Sequence, residues 1–179
     1  MKFCSACGAR VAQKIPTGDN RLRYVCESCA TIHYQNPRMV VGAIPEWEGR
    51  ILLCRRGIEP RLGKWTLPAG FMENGETVAD AALRETQEES LAEIELIDLF
   101  TVFSVPHVDQ VHVFYRAKLH APSFGTTPES LEVALFEEAE IPWDEVAFRT
   151  VSTTLRHFFE DRSRGQFRVH SGPIYPLRA

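Results

Sequence analysis

The sequence holds no apolar run near the roughly 18 residues that a membrane-spanning helix requires. Its start, Met1-Lys2-Phe3-Cys4-Ser5-Ala6-Cys7, lacks the apolar stretch of a secretory leader. The expected location is therefore the cytoplasm, or an organelle if a transit peptide has been removed. Basic excess is also missing: 20 Lys and Arg stand against 24 Asp and Glu, for a formal charge of −4. Non-specific binding to nucleic acid or to an anionic membrane needs the opposite balance, so neither is the expected partner. Internal repeats and long linkers are absent. A content of 44% hydrophobic and 25% charged residues excludes collagen-like, coiled-coil and wholly disordered chains. A chain of 179 residues can form one good core without disulfide staples, with length left for a small appendage.

Cysteine is scarce, and four of the five are paired in sequence. Cys4-x-x-Cys7 and Cys26-x-x-Cys29 are separated by 18 residues, and Cys54 stands apart. Two residues between cysteines let both thiolates turn onto one ion about 2.3 Å away, so the two pairs predict a tetrahedral Zn²⁺ site. A redox C-x-x-C would not need a second matched pair. Four protein ligands leave no position for water, which makes this zinc structural. Gly8 follows the first pair, where a left-handed backbone helps aim amides at sulfur. A turn at residues 14–21 and a strand-like Arg21-Leu22-Arg23-Tyr24-Val25 complete a zinc ribbon over residues 1–36. Cys54, within Ile51-Leu52-Leu53-Cys54, reads as a small buried hydrophobe.

After Asn36-Pro37, the apolar run Met39 to Ile44 and the run Arg50 to Arg55, joined at Glu48-Gly49, predict a hairpin. Trp65-Thr66-Leu67-Pro68 is a further extended piece, broken at Pro68-Ala69-Gly70. Thr77, with Asp80 three residues on, is an N-cap with an acidic first turn. Val78, Ala81, Ala82 and Thr86 follow at helical spacing. Glu85, Glu88 and Glu89 then fall at i, i+3 and i+4, so three like charges share one side of the helix. A solvated acidic face is the plain reading. A hard divalent cation such as Mg²⁺ converts the same repulsion into oxygen coordination. Residues 70–91 carry six acidic side chains against Arg84 alone, so the acidity of the chain is concentrated there.

The segment Gly70-x5-Glu76-x7-Arg84-Glu85-Thr86-x-Glu88-Glu89 resembles the signature box of the Nudix hydrolases. It departs from that pattern at Thr86, where the family has an aliphatic residue, and in Glu89-Ser90-Leu91-Ala92, which lacks the family's glycine. The missing glycine leaves the helix end open and the glutamates untouched. The resemblance implies an α/β fold, an α/β/α sandwich over residues 37–165, with residues 166–179 as a C-terminal tail. It implies Mg²⁺ or Mn²⁺ held by Glu85, Glu88 and Glu89, by the Ala69 carbonyl, and by a further glutamate from a later loop. Glu132 is the first choice for that last ligand or base, with Glu129, Glu137 and Glu138 as competitors. Gly70, Glu76 and Arg84 match the elements that brace the loop against the helix. Of the cations in residues 50–64, Arg55 and Lys64 are the expected phosphate contacts.

Leu99 to Val105 and Val111 to Leu119 read as strands joined by a turn at Pro106 to Gln110, with His107 and His112 as turn and strand residues rather than metal ligands. Val133 to Phe136 is strand-like, and Ser152 to Arg162 suggests a final amphipathic helix. The ribbon-plus-box arrangement resembles two groups within the family. One hydrolyses NADH and carries an S-Q-P-W-P-F-P-x-S array, which this chain lacks. The other acts on FAD and ADP-ribose, and Asn36 to Gly42, Gly63 to Gly70 and Pro128 to Glu132 are similar to it. The expectation is a homodimeric pyrophosphatase that takes a nucleotide-sugar or dinucleotide substrate, such as ADP-ribose or FAD, and releases AMP. NADH is the alternative substrate. A catalytically inactive module, binding nucleic acid or protein through its locally basic ribbon (Arg10, Lys14, Arg21, Arg23), is the alternative of a different kind.

Overall fold

The computed structural model describes residues 1–176 and divides the chain after Pro37 into two compact units. The first unit is a three-stranded antiparallel sheet of β1 (Val11–Lys14), β2 (Arg23–Cys26) and β3 (Ile32–His33), in the order β1-β2-β3. The loop between Cys4 and Ala9 closes tightly, with Cys4 N–H donating to the Ala9 carbonyl at 2.8 Å and Gly8 N–H to the Cys4 carbonyl at 2.9 Å. Gly8 turns there with φ of 76°.

The second unit is built on one mixed sheet. Its strands are β4 (Arg38–Trp47), β5 (Arg50–Arg56), β6 (Trp65–Thr66), β7 (Ala69–Phe71), β8 (Ile94–Val105), β9 (Gln110–Leu119), β10 (Ser130–Phe136) and β11 (His170–Pro173). The main path runs β10-β5-β4-β9-β8-β11, with β6 on β5 and β7 on β4. Two helices, α1 (Val78–Ser90) and α2 (Arg149–Arg164), cover its opposite faces. Val41 and Val113 pack with Ala81 and Ala82 of α1. Ile44, Ile51, Leu53, Phe100 and Phe114 pack instead with Val151, Leu155, Phe158 and Phe159 of α2. Alternate residues along each central strand therefore enter different cores, which is why these strands are apolar on both faces. This is the α/β/α sandwich expected from the resemblance.

Several elements run further than local pattern suggested. The strand expected from Leu99 begins at Ile94, and the last helix starts at Arg149 rather than Ser152. Residues 166–176 do not stand apart as a tail. His170 to Pro173 pair in parallel with Thr101 to Ser104 of β8 and extend the sheet. Residues 177–179 of the expected tail lie outside the described residues. Gly42 in β4 allows the β6–β7 segment to cross it, because a Cβ there would collide with the Pro68 carbonyl and Ala69.

Candidate active site and metal centre

Helix α1 places the acidic cluster. Its start is fixed by reciprocal bonds: Asp80 N–H donates to Thr77 Oγ1 at 3.1 Å, and Thr77 N–H to Asp80 Oδ2 at 3.2 Å. The buried stripe begins with Ala81 and Ala82 and ends with Glu85, Thr86, Glu89 and Ser90. Thr86, set where the family has an aliphatic residue, satisfies its buried hydroxyl by donating to the Ala82 carbonyl at 2.8 Å. The helix ends at Leu91, which adopts the left-handed conformation, φ 58° and ψ 12°. That is the position of the missing glycine.

The last turn of α1 contains no basic residue. Glu88 and Glu89 thus sit at the negative end of the helix dipole, where carboxylates are ordinarily unfavourable. Arg84 offsets part of this charge. It chelates Glu76 through Nε at 3.0 Å and Nη2 at 2.8 Å, and its Nη1 reaches Glu85 at 2.8 Å and Glu88 at 2.9 Å. Arg84 Nη2 also donates to the Phe71 carbonyl at 3.1 Å, which ties the loop to the helix. The hydrogen bonds from Arg84 and the Glu73 amide hold Glu76 down to about 2.

Glu89 has no such cation. Its Oε2 accepts from Ala69 N–H at 3.0 Å, and among the described residues it enters no ion pair. Burial, and secondarily the charge of Glu85, push Glu89 up to about 7. Burial also raises Glu85. Gly70 leaves room for the Glu85 carboxylate, which a Cβ at that position would displace. Two carboxylates raised chiefly by burial, beside a third at a helix C-terminus, offer the oxygen donors that hard divalent cations take. The donor set fits the metal that the resemblance implies.

These groups open onto a cavity of about 850 Å³ at the end of the sheet where β4 and β9 begin and β5, β8 and β11 finish. Ala69, Gly70, Arg84, Glu85, Glu88 and Glu89 all line it. Glu132, Arg55 and Lys64 do not. A bulge at Leu131 sets Ser130 opposite Arg56 and Glu132 opposite Arg55. Glu132 Oε2 then lies 3.5 Å from Arg55 Nη1, and Lys64 Nζ is 2.8 Å from Glu145. Of the later candidates Glu129, Glu132, Glu137 and Glu138, it is Glu129 that lines the cavity, and its charge acts on both Glu85 and Glu89. The arginine that reaches it from β5 is Arg56. Its signal was present in the sequence: Leu52, Cys54 and Arg56 alternate onto one face, and Cys54 Sγ approaches the Glu89 carbonyl of α1 at 3.8 Å. Cys54 itself is buried, and burial pushes its thiol up.

His107 and His112 also line the cavity. Burial lowers His112 to about 4, so it is neutral, and both ring nitrogens are engaged. Nδ1 lies 2.9 Å from Thr150 Oγ1 and Nε2 lies 2.8 Å from Gln110 Oε1.

In the first unit, the Sγ atoms of Cys4, Cys7, Cys26 and Cys29 lie within 4.8 Å of one another. Cys4 and Cys29 are 3.7 Å apart and Cys7 and Cys26 are 3.5 Å apart. A tetrahedron with Zn–S of about 2.3 Å has edges of about 3.8 Å, so the thiols already stand near the spacing zinc imposes. Hydrogen bonds from the Thr31 hydroxyl and amide hold Cys29 down to about 6, well below an ordinary thiol. His33 Nε2 lies 3.3 Å from Cys4 Sγ and supports that sulfur from behind.

Residues 2–35 match the zinc-ribbon family model described as Nudix N-terminal, and residues 36–162 match the NUDIX domain. The chain belongs to the Nudix hydrolase family, whose enzymes use a divalent metal. A crystal structure of a NUDIX hydrolase from Nitrosomonas europaea superposes with a TM-score of 0.95 at 53% identity, covering 98% of this chain and all of that one. The ADP-ribose pyrophosphatase of Methanocaldococcus jannaschii is 40% identical over 76 residues, which is 42% of this chain and 45% of that protein. The NAD-capped RNA hydrolase NudC of Vibrio parahaemolyticus is 34% identical over 103 residues, 56% of this chain and 36% of that protein. The matches thus span less than half the length of these two curated relatives.

Proposed function

We propose that the protein hydrolyses the pyrophosphate bond of ADP-ribose or FAD, giving AMP with ribose 5-phosphate or FMN. The observation that carries this reading is the convergence of Glu85, Glu88, Glu89 and Glu129 in one cavity large enough for such a substrate. Mg²⁺ or Mn²⁺, held by the α1 glutamates with Glu129 and the Ala69 carbonyl, would neutralise the phosphates and lower the pKa of an attacking water. The chain's own part is to position and to balance charge. Arg84 spaces Glu85 and Glu88, Gly70 lets the loop approach Glu85, and Arg56 offers positive charge to a phosphate. Glu129, among the described residues in no ion pair, supplies the further carboxylate as ligand or base.

The likeness to ADP-ribose pyrophosphatase supports ADP-ribose. The likeness to NudC supports NADH as a second reading. The complete glutamate set argues against an inactive binding module. A structural Zn²⁺ in the ribbon, a reducing compartment such as the cytoplasm, and a homodimer complete the proposal. The partly buried apolar side chains Leu99, Val102, Val111 and Tyr115 beside α1 offer a face for a second copy. A turnover panel of ADP-ribose, FAD, NADH and NAD-capped RNA with each divalent metal, combined with light scattering for the dimer, tests it. Metal-dependent release of AMP from ADP-ribose or FAD is the expected result. Turnover of NADH or capped RNA alone, or of nothing, would refute it.

A further inference from the structure

The cavity has two chemically unlike halves. One holds the glutamates with Arg56 and Arg84. The other is assembled by three segments distant in sequence: the β8–β9 connection, the start of α2 and the exit of β11. Their convergence is enforced by specific bonds. His112 of β9 meets Thr150 of α2, Ile174 N–H donates to the Ser104 carbonyl of β8 at 2.8 Å, and Arg149 donates to the Tyr175 carbonyl. Behind them β11 is pinned by the buried contact of His170 Nε2 with Asp161 Oδ2 at 2.7 Å. Its walls carry the apolar and aromatic side chains Val105, Val108, Phe148, Ile174 and Tyr175, with His107, Gln110, His112, Arg149 and Thr150 as the polar ones between them.

Two features stand out against that lining. Tyr175 is 58% exposed although its backbone carbonyl is held by Arg149, and among the described residues it belongs to none of the core clusters. Gln110 has its amide oriented by His112, whose other nitrogen is fixed by Thr150, leaving the second end of the amide for a ligand. We infer that this half receives the planar base of the substrate, with Tyr175 as the ring that stacks on it and Gln110 as the group that reads its polar edge. Apolar and aromatic walls with an oriented amide complement an object with apolar faces and a hydrogen-bonding rim, as a nucleobase or flavin has. The inference rests on the proposed function, because a pyrophosphate at the glutamates is what carries a base into the other half. It assigns substrate recognition to the C-terminal segment, beyond the box and beyond the matched domain.

The test compares wild type, Tyr175→Ala and Tyr175→Phe. KM and kcat are measured for ADP-ribose and FAD, and Kd for AMP and FMN is measured by calorimetry. Loss of one stacked ring should raise KM about tenfold in Tyr175→Ala, weaken AMP or FMN by a similar factor, and leave kcat within about threefold. Tyr175→Phe should restore both, because the ring and not the hydroxyl stacks. Unchanged KM and unchanged AMP and FMN affinity overturn the inference while wild-type turnover keeps the proposed function. If wild type turns over neither substrate, the proposed function fails and calorimetry decides: weakened AMP or FMN binding in Tyr175→Ala, restored by Phe, upholds the base slot. Binding that is absent in wild type or insensitive to Tyr175 refutes it.

Discussion

Glu129 and Glu132 differ in what the bulge at Leu131 does to them: one faces the α1 carboxylates, the other an arginine on the outer side of β5. Replacing Glu129 by Gln should lower kcat about a hundredfold in a steady-state assay, whereas Glu132→Gln should stay within about threefold. The reverse order would return the role to Glu132. The sequence put both glutamates in one loop, and no local pattern reveals a single inserted residue that changes which face follows. Arg56 was more legible, since strand alternation carries Leu52 and Cys54 onto the α1 face and Arg56 after them. Arg55 and Lys64 were plausible by position alone, and their ion pairs with Glu132 and Glu145 depend on partners roughly 80 residues away. Leu91 offers a separate residue-scale test. A left-handed backbone costs an L-residue about 1–2 kcal/mol, and the Leu91 side chain is mostly exposed, with a small contact toward Gly125. Leu91→Gly should therefore raise stability by about 0.5–1 kcal/mol in urea denaturation, and a lower midpoint would contradict the assignment of strain to this cap.

Helix α1 was the most legible element, because its cap, its core spacing and its glutamates are all local and repeat at the period of one helix. Strand β11 was not legible. Its four residues carry no alternation of their own and pair in parallel with a strand some 70 residues earlier, so only the tertiary fold defines them. Between these extremes lies the junction of β9 with α2 at His112. Burial lowers this imidazole from its ordinary 6.5 to about 4, so the folded state keeps it neutral where the unfolded chain takes up a proton. Between pH 6.5 and 4 the unfolded state binds more protons at this imidazole, so the contribution of His112 to folding stability falls with pH through that window, while the raised Glu89 contributes with the opposite sign. The melting-temperature advantage of wild type over His112→Gln should therefore shrink as pH falls across those values, because the variant lacks this titration. An unaltered slope in the variant would show that other groups set the acid limit.

At the scale of the whole molecule, the modest charge of −4 conceals a division of labour. The second unit concentrates carboxylates at one end of its sheet, and the first brings four thiols to zinc spacing with a strand content too small to hold itself by burial alone. Chelation of zinc should therefore unfold residues 1–37, seen as a lost or lowered melting transition together with zinc release. A melting profile indifferent to a chelator would remove the metal from the account. The architecture was legible from two fixed-spacing motifs, because both record chemistry that admits few alternatives. The cavity was not, since its walls come from six strands and both helices and meet only in the folded chain. The central claim is that the α1 carboxylates hold a divalent metal for pyrophosphate hydrolysis, and Glu89 is its sharpest probe because among the described residues it is buried without an ion-pair partner. Product analysis of ADP-ribose and FAD with Mg²⁺ or Mn²⁺ should show AMP from wild type, none when the metal is chelated, and at least about a hundredfold less from a folded Glu89→Gln. Wild-type rates in that variant, or AMP release that survives removal of the metal, would contradict the account.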